Sequence, residues 1–163
     1  MPLEELYKVI QPKIYAFFYV NTADRELSED LTHEVFYQAI KGLHTFTGAS
    51  SLQTWIFAIA RNILYNHYRS KKYRQQLAGT LADRTGAVIS AEQQAITNES
   101  LQLLAMNIQQ LDQLPREIVI MRIYGELSFK EIAQLIGKSE NYARVMFHRA
   151  KMKLQEKLEG IDG

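Results

Sequence analysis

The chain has 163 residues, 47% hydrophobic and 23% charged, the balance of a folded globular protein rather than a disordered one. Its net charge of +1 gives no bulk attraction to nucleic acid, so any basic surface has to come from local clustering. It contains no cysteine, which excludes disulfides, thiolate metal sites and cysteine nucleophiles and fits a reducing compartment. The opening Met1-Pro2-Leu3-Glu4-Glu5 lacks the basic-then-apolar pattern of a signal peptide. Apolar runs fall far short of the roughly 20 residues that cross a bilayer. A cytoplasmic location without direct membrane insertion is expected.

Helical periodicity runs through most of the chain. Leu3, Leu6, Tyr7, Ile10, Ile14, Phe17 and Phe18 recur at three- and four-residue steps along one face. Pro12 removes a backbone donor, so this first segment is either kinked or split. After a turn at 21–25, a second helix is predicted over about 26–43, with Leu27, Leu31, Val35, Ile40 and Phe36 as inward candidates. Gly42 closes it if it takes the left-handed conformation. Residues 44–51 form a polar loop holding one exposed aromatic, Phe46. A third helix over about 52–73 carries Trp55, Ile56, Ile59, Ile63 and Leu64 as its buried face. It ends in the basic cluster Arg69-Ser70-Lys71-Lys72-Tyr73-Arg74, which suits the negative end of a helix dipole.

From Gln75 to about Thr97 the periodicity lapses around Gly79, Asp83 and Gly86, as in a linker. The period returns with Leu101, Leu104, Ala105, Ile108 and Leu111. Pro115 fits the first turn of the next helix, about 116–124, where its missing N–H costs little; Gly125 is its expected end. The fold class is all-α: two small helical domains, 1–75 and 98–163, joined by a linker at 76–97.

The last segment carries the most chemistry. Ser128-Phe129-Lys130-Glu131 has capping-box spacing, and Ile132, Ala133 and Ile136 form a short apolar face. Gly137-Lys138 turns the chain, and Ser139 can cap a longer, more basic helix over about 140–157, with Ala143, Phe147, Ala150 and Leu154 inward. Two capped helices joined by a glycine turn match a helix-turn-helix. The first residues of its second helix enter the major groove, which makes Glu140, Asn141, Tyr142, Arg144 and Val145 candidates for base edges, whereas Arg149, Lys151 and Lys153 would meet phosphates. The bland alternative is a helical hairpin with a solvated basic face.

Three stretches together resemble the extracytoplasmic-function sigma factors of the sigma-70 family: the run 28–39 (SEDLTHEVFYQA), the run 46–62 (FTGASSLQTWIFAIARN), and the segment from Leu114-Pro115-Arg116-Glu117 through Leu154. The likeness covers nearly the whole chain apart from the linker. It implies a first domain that binds core polymerase and melts and reads the −10 element, and a second that reads the −35 element. It also implies partners: the clamp helices of the polymerase largest subunit, the flap of the second-largest, promoter DNA both duplex and melted, and an anti-sigma factor that would hold the chain at a membrane if itself anchored there. On this resemblance Asp30, His33, Glu34 and Phe36 bind polymerase, where carboxylates suit a basic helix and an aromatic anchors it. For Phe36 a place in the core is an equal alternative. His44, Thr45, Phe46, Thr47 and Gly48 form the −10 specificity loop, since an extruded base needs polar and aromatic groups to hold it outside the stack. Asn62, Asn66, His67, Arg69, Lys71, Lys72 and Arg74 follow on the next helix as base and phosphate contacts, and Trp55 is read as core. Ser139, Glu140, Asn141, Tyr142, Arg144, Val145, Arg149 and Lys151 become the −35 set. Departures at Asn141, Val145 and Met146, where the family more usually has glycine, a small hydroxyl and arginine, bear on which −35 sequence is read. His33 and Ile40 stand where glutamine and often tryptophan are usual.

No catalytic constellation is visible. His33, His44, His67 and His148 lack a second ligand at metal-binding spacing, so no metal, cofactor or enzymatic activity is expected. The competing reading is a one-component helix-turn-helix regulator whose first domain senses a ligand or dimerises. It should bind duplex operator DNA without polymerase.

Overall fold

The computed structural model describes residues 3–78 and 99–162, and all the regular secondary structure in them is helical. The chain divides into two compact units, one before and one after residue 88. The expected linker at 76–97 lies outside the described residues, apart from its first three residues, which prolong the third helix.

The first unit is built from α1 (Leu3–Thr22), α2 (Arg25–Lys41), a single 3-10 turn (Leu43–Thr45) and α3 (Leu52–Ala78). Helix α1 runs unbroken through Pro12. The proline forfeits the bond to the Lys8 carbonyl, and burial of Ile10 and Ile14 on either side holds the helix together. Ile10, Ile14, Phe17 and Phe18 are buried as predicted, but Tyr7 is 44% exposed and meets Phe36 edge-on at 4.7 Å.

The turn into α2 is shorter than predicted, only Ala23 and Asp24. Ala23 adopts a left-handed φ of 56°, and the Asp24 carboxylate accepts from the Leu27 N–H at 3.0 Å, capping the helix. The buried stripe of α2 is Ser28, Thr32, Val35 and Ala39, small residues that admit both α1 and α3. The two hydroxyls are satisfied within their own helix, Ser28 donating to the Asp24 carbonyl and Thr32 to that of Ser28, both at 2.6 Å. That stripe displaces the predicted one. Leu27 and Leu31 are half-buried, and Ile40, predicted inward, is 74% exposed because it follows Ala39 by a 100° step around the helix. Gly42 closes α2 without a left-handed backbone, at φ −97°. A Cβ there would stand 3.2 Å from the Gln38 carbonyl oxygen, a tight approach, and in ordinary contact with the Trp55 ring at 3.8 Å.

Helix α3 buries Ile56, Phe57, Ala60, Ile63 and Leu64, with Trp55 and Ile59 only half-buried. Phe57, 1% exposed, stands perpendicular to Phe17 at 5.9 Å between ring centroids and lies at the centre of this core. Ser51 caps α3, accepting from the Thr54 N–H at 3.1 Å.

The second unit contains α4 (Glu99–Gln109), α5 (Gln113–Ile123), α6 (Phe129–Ile136) and α7 (Glu140–Asp162). Pro115 falls in the first turn of α5 as predicted, and Ile118 to Met121 are buried without a gap, because α4, α6 and α7 all pack on this helix. The left-handed residue after α5 is not the expected glycine, Gly125, but the next one. Glu126, at φ 57°, takes the left-handed position, and the Leu127 N–H closes on the Met121 carbonyl at 3.1 Å.

Candidate nucleic-acid and partner-binding surfaces

The helix-turn-helix is present in the geometry that its spacing predicts. The Ser128 hydroxyl accepts from the Glu131 N–H at 3.1 Å and starts α6. Gly137, left-handed at φ 72°, ends it, with the N–H groups of Gly137 and Lys138 both reaching the Ala133 carbonyl. The Ser139 hydroxyl then accepts from the Tyr142 N–H at 3.0 Å and starts α7. Ala143, Ala150 and Leu154 fix the inner face of α7. Glu140, Asn141, Arg144, Val145, Arg149, Lys151 and Lys153 are exposed, and the first four sit at the helix N-terminus, where a major-groove reader presents its side chains. Tyr142 is half-buried beside Lys138, whose ammonium lies 5.6 Å from the ring centroid. Arg144 is paired with Glu140 at 3.0 Å. His148, exposed one turn beyond Arg144, belongs to the same face. It is absent from the expected −35 set, although its i+4 spacing from Arg144 places it on that face.

In the first unit, His44, Thr45, Thr47 and Gly48 are exposed around the 3-10 turn and the loop after it. Gly48 has φ 82° with nothing within 4 Å of a Cβ position, so its glycine is required by conformation alone. Phe46 is not the exposed aromatic predicted. It is half-buried, its ring 5.4 Å from that of Trp55, and this pair fixes the loop to the start of α3.

Asn62, Asn66 and Arg69 are exposed, one per turn, along the outer face of α3, and Arg69 donates to the Asn66 side-chain carbonyl. Lys72 and Arg74 are exposed further along. His67 and Lys71 are half-buried instead, because they continue the spacing of Ile63 and Leu64. Burial lowers the His67 pKa below its usual value, and the neighbouring Lys71 and Arg74 charges lower it further against a smaller opposing pull from Asp24. The unfolded chain therefore takes up a proton that folded His67 resists, and below the ordinary histidine value of 6.5 the first unit loses stability as pH falls. Thermal melts between pH 7.5 and 5.5 are expected to show a smaller loss in His67→Gln than in the parent chain.

On α2, Asp30, His33 and Glu34 are exposed on one side, and Glu34 accepts from the Gln38 amide at 2.9 Å. Phe36 is half-buried against Tyr7, between the two readings given for it. Sequence reasoning missed two neighbours on this face, Tyr37 at 63% exposure and Ile40 at 74%. Ile40 and Phe36 also line an open apolar groove of about 540 Å³ with Tyr7, Leu43, Leu52 and Trp55. Among the described residues no group of three or more His, Cys, Asp or Glu side chains is placed to hold a metal. No described helix is long and apolar enough to cross a membrane.

A polar loop seated on an amide-bearing helix in one unit and a capped helix-turn-helix in the other define a two-module helical protein built to read DNA. The Sigma-70 region 2 family model matches residues 6–74 and the Sigma-70 region 4 model matches residues 101–154, together well over half of the chain. The RNA polymerase sigma factor YlaC of Bacillus subtilis is 28% identical, over 96% of this chain and 91% of its own length. The ECF RNA polymerase sigma factor SigX of the same bacterium is 27% identical over 94% and 82%. The fold matches that of the sigma factor RpoE from Bartonella quintana, solved in complex with the anti-sigma factor NepR, with a TM-score of 0.81 at 22% identity and 96% coverage of both chains. The chain belongs to the sigma-70 family and is of its extracytoplasmic-function type. A one-component regulator is not favoured, because residues 6–74 match region 2 where that reading requires a sensing or dimerisation domain.

Proposed function

We propose that this chain binds core RNA polymerase and directs it to promoters, the first unit melting and reading the −10 element and the second reading the −35 element. The observation that carries this reading is the succession of region 2 and region 4 matches in one chain. The exposed side of α2, with Asp30, His33 and Glu34, is assigned to polymerase. The loop from His44 to Gly48 and the face of Asn62, Asn66 and Arg69 are assigned to the melted −10 strand, with Lys71, Lys72 and Arg74 holding phosphates and His67 supporting the face from its flank. In the −35 set, Glu140, Asn141, Arg144 and Val145 meet base edges, Tyr142 borders them, Ser139 sets the helix start, and Arg149 and Lys151 take phosphates. Polymerase supplies all the chemistry, and the chain acts in the cytoplasm where polymerase works. An anti-sigma factor, like the one bound to the RpoE relative, is the proposed inhibitor.

The test is transcription in vitro from a promoter library with core polymerase, with and without the purified chain. Starts that appear only with the chain and share a −35 and −10 pair at fixed spacing are expected. Their absence, or tight operator binding by the chain alone, overturns the proposal.

A further inference from the structure

We propose that Phe129 is the positioning residue for −35 reading, its ring holding the Arg144 guanidinium ready for a base edge. The assignment rests on the −35 role given to α7 above. Phe129 is the first helical residue after the Ser128 cap, and side chains from α5 and α7 converge on its ring. Phe147 packs against it at 5.5 Å and His148 at 6.2 Å. The Arg122 guanidinium lies over the ring at 4.3 Å from its centroid and that of Arg144 at 5.3 Å.

The two cations have different freedoms. Arg122 is anchored, donating to the Leu127 carbonyl at 2.9 Å, and so belongs to the frame. Arg144 is exposed and pairs with Glu140, in an i,i+4 contact whose side chains are 47% and 49% exposed; such a pair fixes a long side chain only weakly. The negative face of an aromatic ring attracts a guanidinium held over it. The ring therefore selects the Arg144 rotamer in advance. A preset arginine loses less side-chain freedom when it takes a base in its bidentate fork. Phe129 itself need not touch DNA for this.

The experiment uses the full chain in holoenzyme with core polymerase. Promoters carrying every single base-pair substitution in the −35 element compete in one transcription reaction, and transcripts are counted by sequence. Arg144→Ala identifies the base pairs that Arg144 reads, where preference is expected to fall by roughly five- to a hundred-fold. Phe129 is then replaced by pentafluorophenylalanine, which keeps the ring's shape and apolar character but reverses the charge of its face. Preference at the same base pairs is expected to fall about two- to five-fold, with other −35 positions and the −10 profile unchanged. Phe129→Tyr, which keeps the electron-rich face, should match the parent chain. In an Arg144→Ala background the fluorinated ring should change nothing further. A fluorinated chain with an unaltered profile, a uniform loss at every position, or an equal loss with and without Arg144 overturns the assignment, as does an Arg144→Ala profile without position-specific loss. If the unsubstituted chain directs no promoter-specific starts at all, the functional reading itself falls and this assignment falls with it.

Discussion

Phe57→Ala is expected to unfold the first unit and leave the second intact. Phe57 is 1% exposed, and its ring meets Phe17, which in turn packs edge-on against Phe18 at 5.5 Å. Truncating a buried phenylalanine costs about 3–5 kcal/mol, from lost burial and from the cavity left behind. A small domain has about 5–15 kcal/mol in total, with units of this size near the lower end, so one substitution removes most of the margin. The second unit has its own core in Ile108, Ile118, Ile120, Leu127 and Ile132, which does not depend on Phe57. Trp55 is the only tryptophan in the chain and lies in the first unit, so its fluorescence reports that unit while far-UV circular dichroism reports both. In urea, the fluorescence transition of the variant should move to much lower denaturant or vanish. A substantial helical transition should persist at its original midpoint. Coincident, unshifted transitions by both probes would contradict this division of the core.

The sequence made the second unit more legible than the first, for physical reasons that particular residues expose. Caps and turns are local chemistry, so Ser128, Gly137 and Ser139 could be placed from their spacing, and the helix-turn-helix followed. The outer face of α3 was legible in the same way, because Asn62, Asn66 and Arg69 follow the helical repeat. Helix α2 misled, since its buried stripe includes Ser28 and Thr32, whose hydroxyls are satisfied by their own backbone. A polarity pattern assigns such residues to solvent and sends Ile40 inward. Gly42 is expected from its type to be left-handed, yet it closes α2 at φ −97°, and just past Gly125, the expected end of α5, it is Glu126 that takes the left-handed position. Phe46 could not be placed from its loop, because its burial depends on Trp55 nine positions on. The extension of α3 to Ala78 shows how little polar composition alone marks a helix end.

Charge reversal on α2 should separate polymerase binding from folding. Asp30 and Glu34 are one helical turn apart and exposed, so Asp30→Lys with Glu34→Lys should change stability by no more than about 0.5 kcal/mol for each site. Against the basic helix assigned as partner, two attractive contacts become repulsive. Juxtaposed like charges cost several kcal/mol, so affinity for core polymerase should fall by about a hundred-fold or more. Net charge rises by four, and a control is needed that changes charge equally at another place. Glu156→Lys with Glu159→Lys does this on the exposed distal part of α7. Fluorescence titration of labelled chain with core polymerase at about 0.15 M salt, where charges beyond roughly 8 Å are screened, should show the loss for the α2 pair and not for the α7 pair. Equal weakening by both pairs would reduce the effect to bulk charge. Undiminished affinity of the α2 variant would move the polymerase contact elsewhere, and the groove beside Ile40 and Phe36 would then be the surface to probe.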